Sequence, residues 1–233
     1  MAVVVLVPAR NEAPRIGALL ESVFATLPGT PVVVVDGHSA DDTATIARRH
    51  GAIVVPQEGR GYACGLRTGY RFALRHGATR LVQLDADGQH PPGVLPQLLD
   101  ALDTADLVVG SRAGTASPGP LHRRVGNHLL ALAVQAATGA PVADVTSGLQ
   151  ALDRRALERL APVFPEDVAD ANVRVLALRL GLRLAEVPVR MPQRTDGESM
   201  HDGSAGVKNF GRSLRAVVRE ALAPLDASAL HAD

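Results

Sequence analysis

Short apolar runs alternate with longer segments of helical spacing through the first half of the chain. The apolar runs predict buried strands at residues 2–7, 31–35, 52–56 and 80–84. The helical spacing predicts helices at residues 14–26, 41–50 and 59–75. Short buried strands that alternate with helices are typical of a doubly wound parallel sheet. We therefore expect an α/β protein with a Rossmann-like, mostly parallel central sheet flanked by helices.

The second half of the chain is less regular but continues the same alternation. Strands are predicted at residues 105–110 and 183–191, and helices at residues 121–138, 154–160, 169–180 and 205–222. The last helix is predicted to be amphipathic, because basic residues recur at helical spacing on one face: Lys208, Arg212, Arg215 and Arg219. No internal repeat or interdomain linker interrupts the pattern. We expect residues 1–224 to form a single domain and residues 225–233 to be a frayed tail.

Chain length and amino-acid composition limit the classes of protein to which this sequence can belong. With 233 residues, 46% of them hydrophobic, the chain can bury the core of one large α/β domain. Its formal net charge of zero gives no global attraction to nucleic acid, and we expect no nucleic-acid partner. A single cysteine, Cys64, excludes an intramolecular disulfide framework. No apolar run reaches the roughly 18–20 residues of a membrane span, so we expect a cytoplasmic protein.

The main candidate for chemistry is a pair of carboxylates, Asp85 and Asp87, directly after the fourth strand. Strand alternation would point both to the same side, and a turn could add Gln89 as a third oxygen ligand. Such hard-oxygen ligands suit Mg²⁺ or Mn²⁺, which usually keep open positions for substrate phosphates. A solvated turn is the alternative for an isolated Asp-x-Asp.

Polar residues also follow the first two predicted strands. Pro8, Arg10 and Glu12 follow the first strand, and Asp36 follows the second. In open parallel sheets a ligand lies beyond the carboxyl ends of the strands. Asp36 could accept hydrogen bonds from a nucleobase, although a capping or turn role is the alternative. The convergence of these residues and the Asp pair on one edge predicts a nucleotide site.

Arginines supply candidate phosphate contacts. Gly59-Arg60-Gly61 would let the backbone approach a phosphate, although it lacks the spacing of a P-loop or a dinucleotide-binding loop. Four further arginines in loop-like contexts would suit a phosphate-bearing acceptor, unless they are simply solvated: Arg112, Arg123, Arg124 and Arg194. The apolar run at residues 129–137 is either core or a lipid-facing surface. The basic face of the last helix is either solvated or in contact with membrane headgroups.

Taken in order, these motifs resemble the GT-A family 2 glycosyltransferases, and within them the dolichol- or polyprenyl-phosphate mannose (or glucose) synthases. The resemblance extends from about residue 3 to residue 199 and depends on segments 7–12, 35–43, 59–61, 85–92, 110–112, 144–148, 186–189 and 194–199. It implies a GT-A fold with a C-terminal amphipathic helix, and inverting, metal-dependent transfer of a hexose from a nucleotide sugar to a polyprenyl or dolichyl phosphate. Mannose from GDP-mannose is favoured. The C-terminal membrane spans of many relatives are absent from this sequence.

The resemblance also implies roles for individual residues. Asp85, Asp87 and Gln89 would bind Mg²⁺ or Mn²⁺. The nucleotide sugar would contact Pro8, Arg10, Glu12, Asp36, Arg60, Gly61, Asp85 and Ala86. Catalysis would depend on Asp85, Asp87, Arg112 and Arg194, and the acceptor phosphate would contact Arg112, Arg123, Arg124 and Ser147. The acceptor would be reached by peripheral contact with the cytoplasmic face of the membrane.

Several positions depart from the family pattern. Val35 stands where the family usually has a first Asp before Asp36, Arg60 replaces a Lys, and Val145 replaces a Pro. Asn172 stands where a second carboxylate is usual, and Met200 replaces a residue that is often basic. These departures bear on which donor base, sugar and acceptor the protein would recognise, and they leave the expected metal ligands in place.

Other functions remain open at the level of sequence. An anionic acceptor oxygen requires no general base, whereas transfer to a soluble hydroxyl, as in sugar transfer to a small molecule or natural product, generally does. The available carboxylates for such a base are Asp170, Asp167 and Asp144. An inactive nucleotide-binding scaffold is disfavoured by the presence of the carboxylates and arginines. A nucleotidyltransferase is disfavoured because the opening loop lacks a Gly-rich, basic start.

Overall fold

The computed structural model describes residues 2–115, 121–191 and 203–224. Within these ranges, the strands are β1 (Val3–Ala9), β2 (Val32–Asp36), β3 (Ile53–Pro56), β4 (Arg80–Gln83), β5 (Leu107–Ser111), β6 (Gln150–Asp153) and β7 (Leu184–Pro188). The helices are α1 (Ala13–Thr26), α2 (Thr43–Arg49), α3 (Tyr62–Arg75), α4 (Leu95–Ala101), α5 (Leu121–Thr138), α6 (Arg154–Val163), α7 (Ala171–Arg179) and α8 (Gly203–Leu222). A short 3₁₀-helix, Pro92–Val94, precedes α4.

The strands form one mixed but mostly parallel sheet in the order β3-β2-β1-β4-β6-β5-β7. β1 lies parallel to β2 and β4, β2 lies parallel to β3, and β5 lies parallel to β7. β6 runs antiparallel to both of its neighbours, β4 and β5. The predicted α/β class with a mostly parallel central sheet is therefore confirmed.

Two elements were not predicted from the sequence pattern. β6 has four residues and a polar residue at each end, so its apolar content is too small to distinguish it from a turn. The segment that contains α4 follows Pro91 and Pro92, which end any strand but are also tolerated at the start of a helix. The proline pair therefore marks the start of a short helical segment as well as the end of the loop.

Burial on both faces of the sheet explains why its strands are apolar runs without polar alternation. Val5 and Val7 of β1 pack on one face with helices α1 and α4, whereas Val4 and Leu6 pack on the other face with α3 and α6. Successive side chains of a strand point to opposite faces, so a strand covered on both sides must be apolar at every position.

Helices α5, α7 and α8 form a further layer with its own apolar cluster. Leu130 and Val134 of α5 pack with Val175 of α7 and Val217 of α8. The outer face of α5 stays partly apolar, because Val125, Leu129 and Leu132 are exposed. In the described part of the chain, no helix is both long enough and apolar enough to cross a bilayer.

The register of the sheet brings the polar strand ends to one edge. Ala9 of β1 lies opposite Asp36 of β2, and Leu6 of β1 lies opposite Gln83 of β4. Because these three strands are parallel neighbours, the loops that follow them meet at the carboxyl edge of the sheet. This is the edge at which the sequence places its nucleotide and metal candidates.

Some of the sequence predictions fall outside the described residues. Arg194 and the tail at residues 225–233 belong to this group, and the side chain of Arg123 is not described although its backbone lies in α5. The extent of the single domain, residues 1–224, stays a prediction.

Candidate active site

The loops after β1 and β2 are joined by hydrogen bonds that shape one side of the site. The backbone N–H of Asn11 donates to Ser39 Oγ at 3.0 Å, and the N–H of Glu12 donates to Thr43 Oγ1 at 2.8 Å. In return, the N–H of Ala40 donates to Asn11 Oδ1 at 2.8 Å. Asn11 has a positive φ of 55°, which Asn tolerates better than most residues. The predicted nucleoside residues of the first loop are thus held beside Asp36.

Asp36 has one carboxylate oxygen with a partner and one without. Oδ2 accepts the N–H of Ser39 at 3.3 Å, whereas Oδ1 is buried and has no hydrogen-bond partner among the described residues. A buried acceptor without a partner is costly, and such atoms are rare in folded proteins. The unpaired Oδ1 is therefore a suitable acceptor for an N–H group of a bound base.

The Gly59-Arg60-Gly61 turn adjoins the same side of the site. Gly59 and Gly61 have positive φ values of 83° and 93°, a region in which glycine is unstrained. Gln57 Nε2 donates to the carbonyls of Gly59 at 3.2 Å and Gly61 at 2.9 Å, and His38 Nε2 lies 3.1 Å from Gly59 O. Arg60 is exposed in this turn. Arg60 therefore lies in a turn that contacts the loop after β2 through His38.

The two carboxylates after β4 differ in their surroundings. Asp85 Oδ1 accepts the hydroxyl of Tyr62 at 2.7 Å, and the backbone N–H of Asp85 donates to His90 Nδ1 at 2.9 Å. Asp87 Oδ1 accepts the backbone N–H of Gln89 at 3.0 Å, which closes a tight turn. The partial burial of the Tyr62 hydroxyl and the charge of Asp85 raise the pKa of Tyr62 well above its usual value. Tyr62 therefore stays protonated as a donor to Asp85.

A buried polar network supports the floor of the site. Tyr70 donates to Gln83 Oε1 at 2.6 Å, and Gln83 Nε2 donates to Gly148 O at 2.9 Å. Arg174 donates to Gln150 Oε1 and to Ser147 O, both at 2.7 Å. Ser147, a predicted acceptor contact, is itself buried. The network fixes the backbone carbonyls of residues 147 and 148, and Gly148 lies directly against Asp85.

Arg112 is held by a bidentate pair with Asp144 and by Thr146. Its Nε and Nη2 donate to the two oxygens of Asp144 at 2.7 and 2.8 Å, and Nη2 also donates to Thr146 Oγ1 at 2.7 Å. Asp144 is oriented by Glu186, whose Oε1 accepts the N–H of Asp144 at 2.8 Å. Among the described residues these bonds engage Nε and Nη2 of Arg112, so Nη1 is the group that could donate to a phosphate oxygen.

Arg112 and Asp144 each stabilise the ionised form of the other. Burial raises the pKa of Asp144, but the hydrogen bonds and charge of Arg112 outweigh that effect, and the net pKa is lowered. Burial acts to lower the pKa of Arg112, but Asp144 raises it on balance, with smaller contributions from Asp170 and Asp85. Arg112 therefore lies within the field of three carboxylates on the sheet edge.

The other predicted carboxylates have partners in α8. Asp167 forms a bidentate, exposed pair with Arg219 at 2.7 and 2.8 Å, and that arginine lowers the pKa of Asp167 to about 2. Asp170 accepts the hydroxyl of Ser213. Arg124, at the start of α5, is exposed. The structure thus brings Asp144 and Asp170 into the surroundings of Arg112, while Asp167 lies in a surface ion pair.

The donor set after β4 fits a hard divalent cation. Asp85, Asp87 and the amide of Gln89 offer oxygen ligands, the type that Mg²⁺ and Mn²⁺ prefer. Among residues 2–115, 121–191 and 203–224, no group of three His, Cys, Asp or Glu side chains is placed to hold a metal alone. A cation here would need further oxygens from a ligand, which is the usual arrangement for Mg²⁺ with phosphates.

Sequence reasoning assigned no individual role to three residues of this site, although Gly148 belongs to the segment at residues 144–148 that supports the family resemblance. Tyr62, Arg174 and Gly148 contact or support the Asp85 region, yet none belongs to a polar strand end. Tyr62 could have been noticed because it directly follows the Gly59-Arg60-Gly61 turn. Arg174 gave no signal, since an arginine in an apolar helix is usually solvent-exposed.

Comparison with known proteins places the chain among sugar transferases. Residues 4–161 match the family model described as Glycosyl transferase family 2. The chain is 31% identical over 220 residues to undecaprenyl-phosphate mannosyltransferase of Micrococcus luteus, covering 87% of this chain and 88% of the relative. It is 33% identical over 214 residues to dolichyl-phosphate hexose transferase of Haloferax volcanii, covering 90% and 91% of the two chains.

A solved structure has the same fold. Glucosyl-3-phosphoglycerate synthase from Mycobacterium tuberculosis, crystallised with Mn²⁺, UDP and glucosyl-3-phosphoglycerate, superposes with a TM-score of 0.70 over 97% of this chain and 81% of that chain. Sequence identity in this superposition is 22%. The likeness confirms the fold expected from the sequence motifs.

Proposed function

This chain belongs to glycosyl transferase family 2, and from that premise we propose that it transfers a hexose from a nucleotide sugar to a polyprenyl phosphate with inversion. Mannose and GDP-mannose are the favoured sugar and donor. The names of three relatives support a polyprenyl phosphate as the acceptor. They are undecaprenyl-phosphate mannosyltransferase, polyprenol monophosphomannose synthase and dolichyl-phosphate hexose transferase. The observation that carries the proposal is that one segment contacts both parts of the site: Thr146 accepts a hydrogen bond from Arg112, and Gly148 lies against Asp85.

In this proposal, Asp36 holds the base through its unpaired oxygen, and Arg60 lies near the diphosphate. Asp85, Asp87 and Gln89 would hold Mg²⁺ or Mn²⁺, and the cation would supply electrostatic stabilisation for the negative charge of the nucleoside diphosphate. Arg112 offers Nη1 to a phosphate oxygen while Asp144 fixes its plane. Catalysis then consists of positioning and electrostatic stabilisation, since a phosphate oxygen is already a nucleophile.

Transfer to a neutral hydroxyl is the alternative. It would require a carboxylate free to accept a proton. Asp144 and Asp167 are each bound by an arginine that lowers the carboxyl pKa, which makes them weak bases. Asp170 remains as the candidate, although it already accepts a hydrogen bond from Ser213. The bound state of these carboxylates supports an acceptor that brings its own anionic oxygen.

We further propose that the enzyme reaches its lipid acceptor from the surface of the cytoplasmic membrane. The exposed apolar side chains of α5, Val125, Leu129 and Leu132, recur at helical spacing, and this spacing supports an interfacial contact. The basic face of α8 would add attraction to anionic lipids. Cytoplasmic localisation stays a prediction from the sequence.

The test is a transfer assay across donors. The purified protein is incubated with GDP- or UDP-sugars, Mg²⁺ or Mn²⁺, and a short polyprenyl phosphate, and the lipid-linked sugar is quantified. We expect transfer from one donor, loss of transfer with EDTA, and loss in the Asp87→Ala variant with an unchanged fold by circular dichroism. Transfer only to a soluble hydroxyl acceptor would replace the proposed acceptor. Full activity of Asp87→Ala would overturn the metal assignment.

A further inference from the structure

Tyr62 connects two parts of the site that lie in separate segments of the sequence, the Gly59-Arg60-Gly61 turn and the loop that contains Asp85. It is the first residue of α3 and directly follows Gly61, yet its hydroxyl reaches Asp85 Oδ1 at 2.7 Å, 23 residues further along the chain. We propose that Tyr62 is a positioning residue, which fixes the Asp85 carboxylate in the orientation that binds the cation and donor. This inference rests on the proposed function of Asp85.

Gly148 provides the space for this contact. A Cβ atom at position 148 would lie 2.6 Å from Asp85 Oδ2 and 2.9 Å from the Tyr62 hydroxyl oxygen. Real Cβ atoms do not approach polar atoms this closely, so any side chain at 148 would displace the carboxylate, the phenol or both. The φ of Gly148 is not in the left-handed region, and the glycine is therefore required for space and not for backbone conformation.

His90 does not replace Tyr62 as a donor to this carboxylate. Its Nδ1 lies 3.7 Å from Asp85 Oδ2, but the same Nδ1 accepts the backbone N–H of Asp85 at 2.9 Å. A nitrogen that accepts a hydrogen bond is unprotonated and cannot also donate. Among the described side chains, the phenol of Tyr62 is thus the hydrogen-bond donor that orients Asp85.

The position of Tyr62 also links the metal carboxylate to the phosphate loop. Gly61, the preceding residue, is held by Gln57 through its carbonyl, and Arg60 precedes it in the same turn. A shift of this turn on donor binding would move the start of α3 and with it the phenol. We therefore expect cation binding at Asp85 and nucleotide binding at the turn to strengthen each other.

The expected size of the effect follows from comparable contacts. Residues that orient metal ligands typically change metal affinity by about 10- to 100-fold when removed. Because Asp87 and the nucleotide also contribute ligands, we expect Tyr62→Phe to weaken Mn²⁺ binding by about tenfold. The ring is retained in this variant, so packing at the start of α3 is preserved.

The experiment measures Mn²⁺ affinity without turnover. Free Mn²⁺ is quantified by electron paramagnetic resonance in the presence of GDP or UDP, for the wild type, Tyr62→Phe, Asp87→Ala and Thr104→Ala. Thr104→Ala is the matched control, because it removes an exposed hydroxyl at the end of α4, away from the site. We expect unchanged binding in Thr104→Ala, weakened binding in Tyr62→Phe and none in Asp87→Ala.

A spectroscopic readout separates positioning from general stability. The chain has two tyrosines and no tryptophan, and Tyr70 is fully buried. Addition of Mg²⁺ and nucleotide should change tyrosine fluorescence in the wild type and leave the emission of Tyr62→Phe unchanged. Should Tyr62→Phe fail to fold, Gly148→Ala tests the same contact from the opposite side and should weaken Mn²⁺ binding equally.

The outcomes distinguish this inference from the function on which it rests. Mn²⁺ binding by Tyr62→Phe within twofold of the wild type, with fluorescence that still responds, would overturn the role of Tyr62 and leave the metal assignment intact. A wild type that binds no Mn²⁺ with either nucleotide would overturn the metal assignment itself, and the inference with it.

Discussion

At the scale of single residues, the site depends on a few charged groups whose neighbours fix their orientation. Asp85 is oriented by Tyr62 and Arg112 by Asp144, and in both cases the partner lies far away in sequence. Each contact restricts a flexible side chain to one geometry before any ligand binds. Such preorganisation reduces the entropy that binding would otherwise cost.

Arg112→Lys tests the bidentate pair. Lysine cannot donate to both oxygens of Asp144 and also reach Thr146 and a phosphate, so Asp144 would lose the bidentate guanidinium contact and keep its hydrogen bonds from the backbone N–H groups of residues 112 and 146. We expect the transfer rate to fall by about 100-fold, comparable to the loss of one preorganised donor in other enzymes. Arg75→Lys, at the exposed end of α3, is the control and should retain full activity. Equal activity of the two variants would contradict the role of Arg112.

At the scale of elements, an ion-pair cluster fastens β7 to β5 at the opposite end from the site. Buried Asp106 precedes β5 and accepts the N–H of Arg183 and its Nη2, both at 2.7 Å, while Arg155 of α6 lies 3.3 Å away. Burial acts to raise the pKa of Asp106, but the hydrogen bonds and charge of Arg183 outweigh it and the net pKa is lowered. The cluster therefore stabilises the fold through the ionised form of Asp106.

Asp106→Asn should destabilise the protein in a pH-dependent way. The folded-state pKa is below the unfolded value of about 3.9, so the stabilisation is present above that value and is lost as pH falls through the folded pKa. We expect the variant to lose about 1–3 kcal/mol of unfolding free energy at neutral pH. Urea unfolding at neutral and strongly acidic pH measures this. A difference in unfolding free energy between the wild type and Asp106→Asn that is the same at both pH values would contradict the prediction.

At the scale of the whole molecule, the layer of α5, α7 and α8 gives the protein an asymmetric surface. Three exposed apolar residues lie on the outer face of α5, and exposed arginines follow one another along α8. Phe210 of α8 packs close to Gly126 of α5, so the two helices are in contact. The two surfaces therefore lie on neighbouring helices, and the proposed contact with an anionic membrane would draw on both.

The double substitution Leu129→Glu and Leu132→Glu tests membrane contact. Both side chains are 47% exposed, so the charges can be solvated without disturbing the core. Because interfacial binding scales with buried apolar area, we expect sedimentation with anionic liposomes to fall several-fold. Ile53→Glu, on edge strand β3, is a control of similar exposure at 37% and should bind as the wild type does. Equal losses of liposome binding in the double variant and in Ile53→Glu would indicate a general effect of added negative charge and would contradict a contact through α5.

The pattern of apolar and polar positions along the chain is sufficient to predict the alternation of strands and helices and the edge of the sheet at which the candidate site residues lie. Buried parallel strands must be apolar at each position, and their polar ends mark the ligand edge, so both features can be detected locally along the chain. Asp36, Asp85 and Asp87 were predicted in this way, whereas Arg112 was predicted as one of several arginines in loop-like contexts. Membership of the glycosyltransferase family, expected from the ordered motifs, is confirmed.

The identity of the distant residues that orient these groups became visible in the folded structure alone. β6 is antiparallel and four residues long, and its position between β4 and β5 brings residues 147 and 148 against Asp85. The contact of Tyr62 with Asp85 and the burial of Arg174 arise from that packing. No local pattern encodes such contacts, because they join segments separated by 23 residues or more, and their geometry depends on the order of the strands in the sheet.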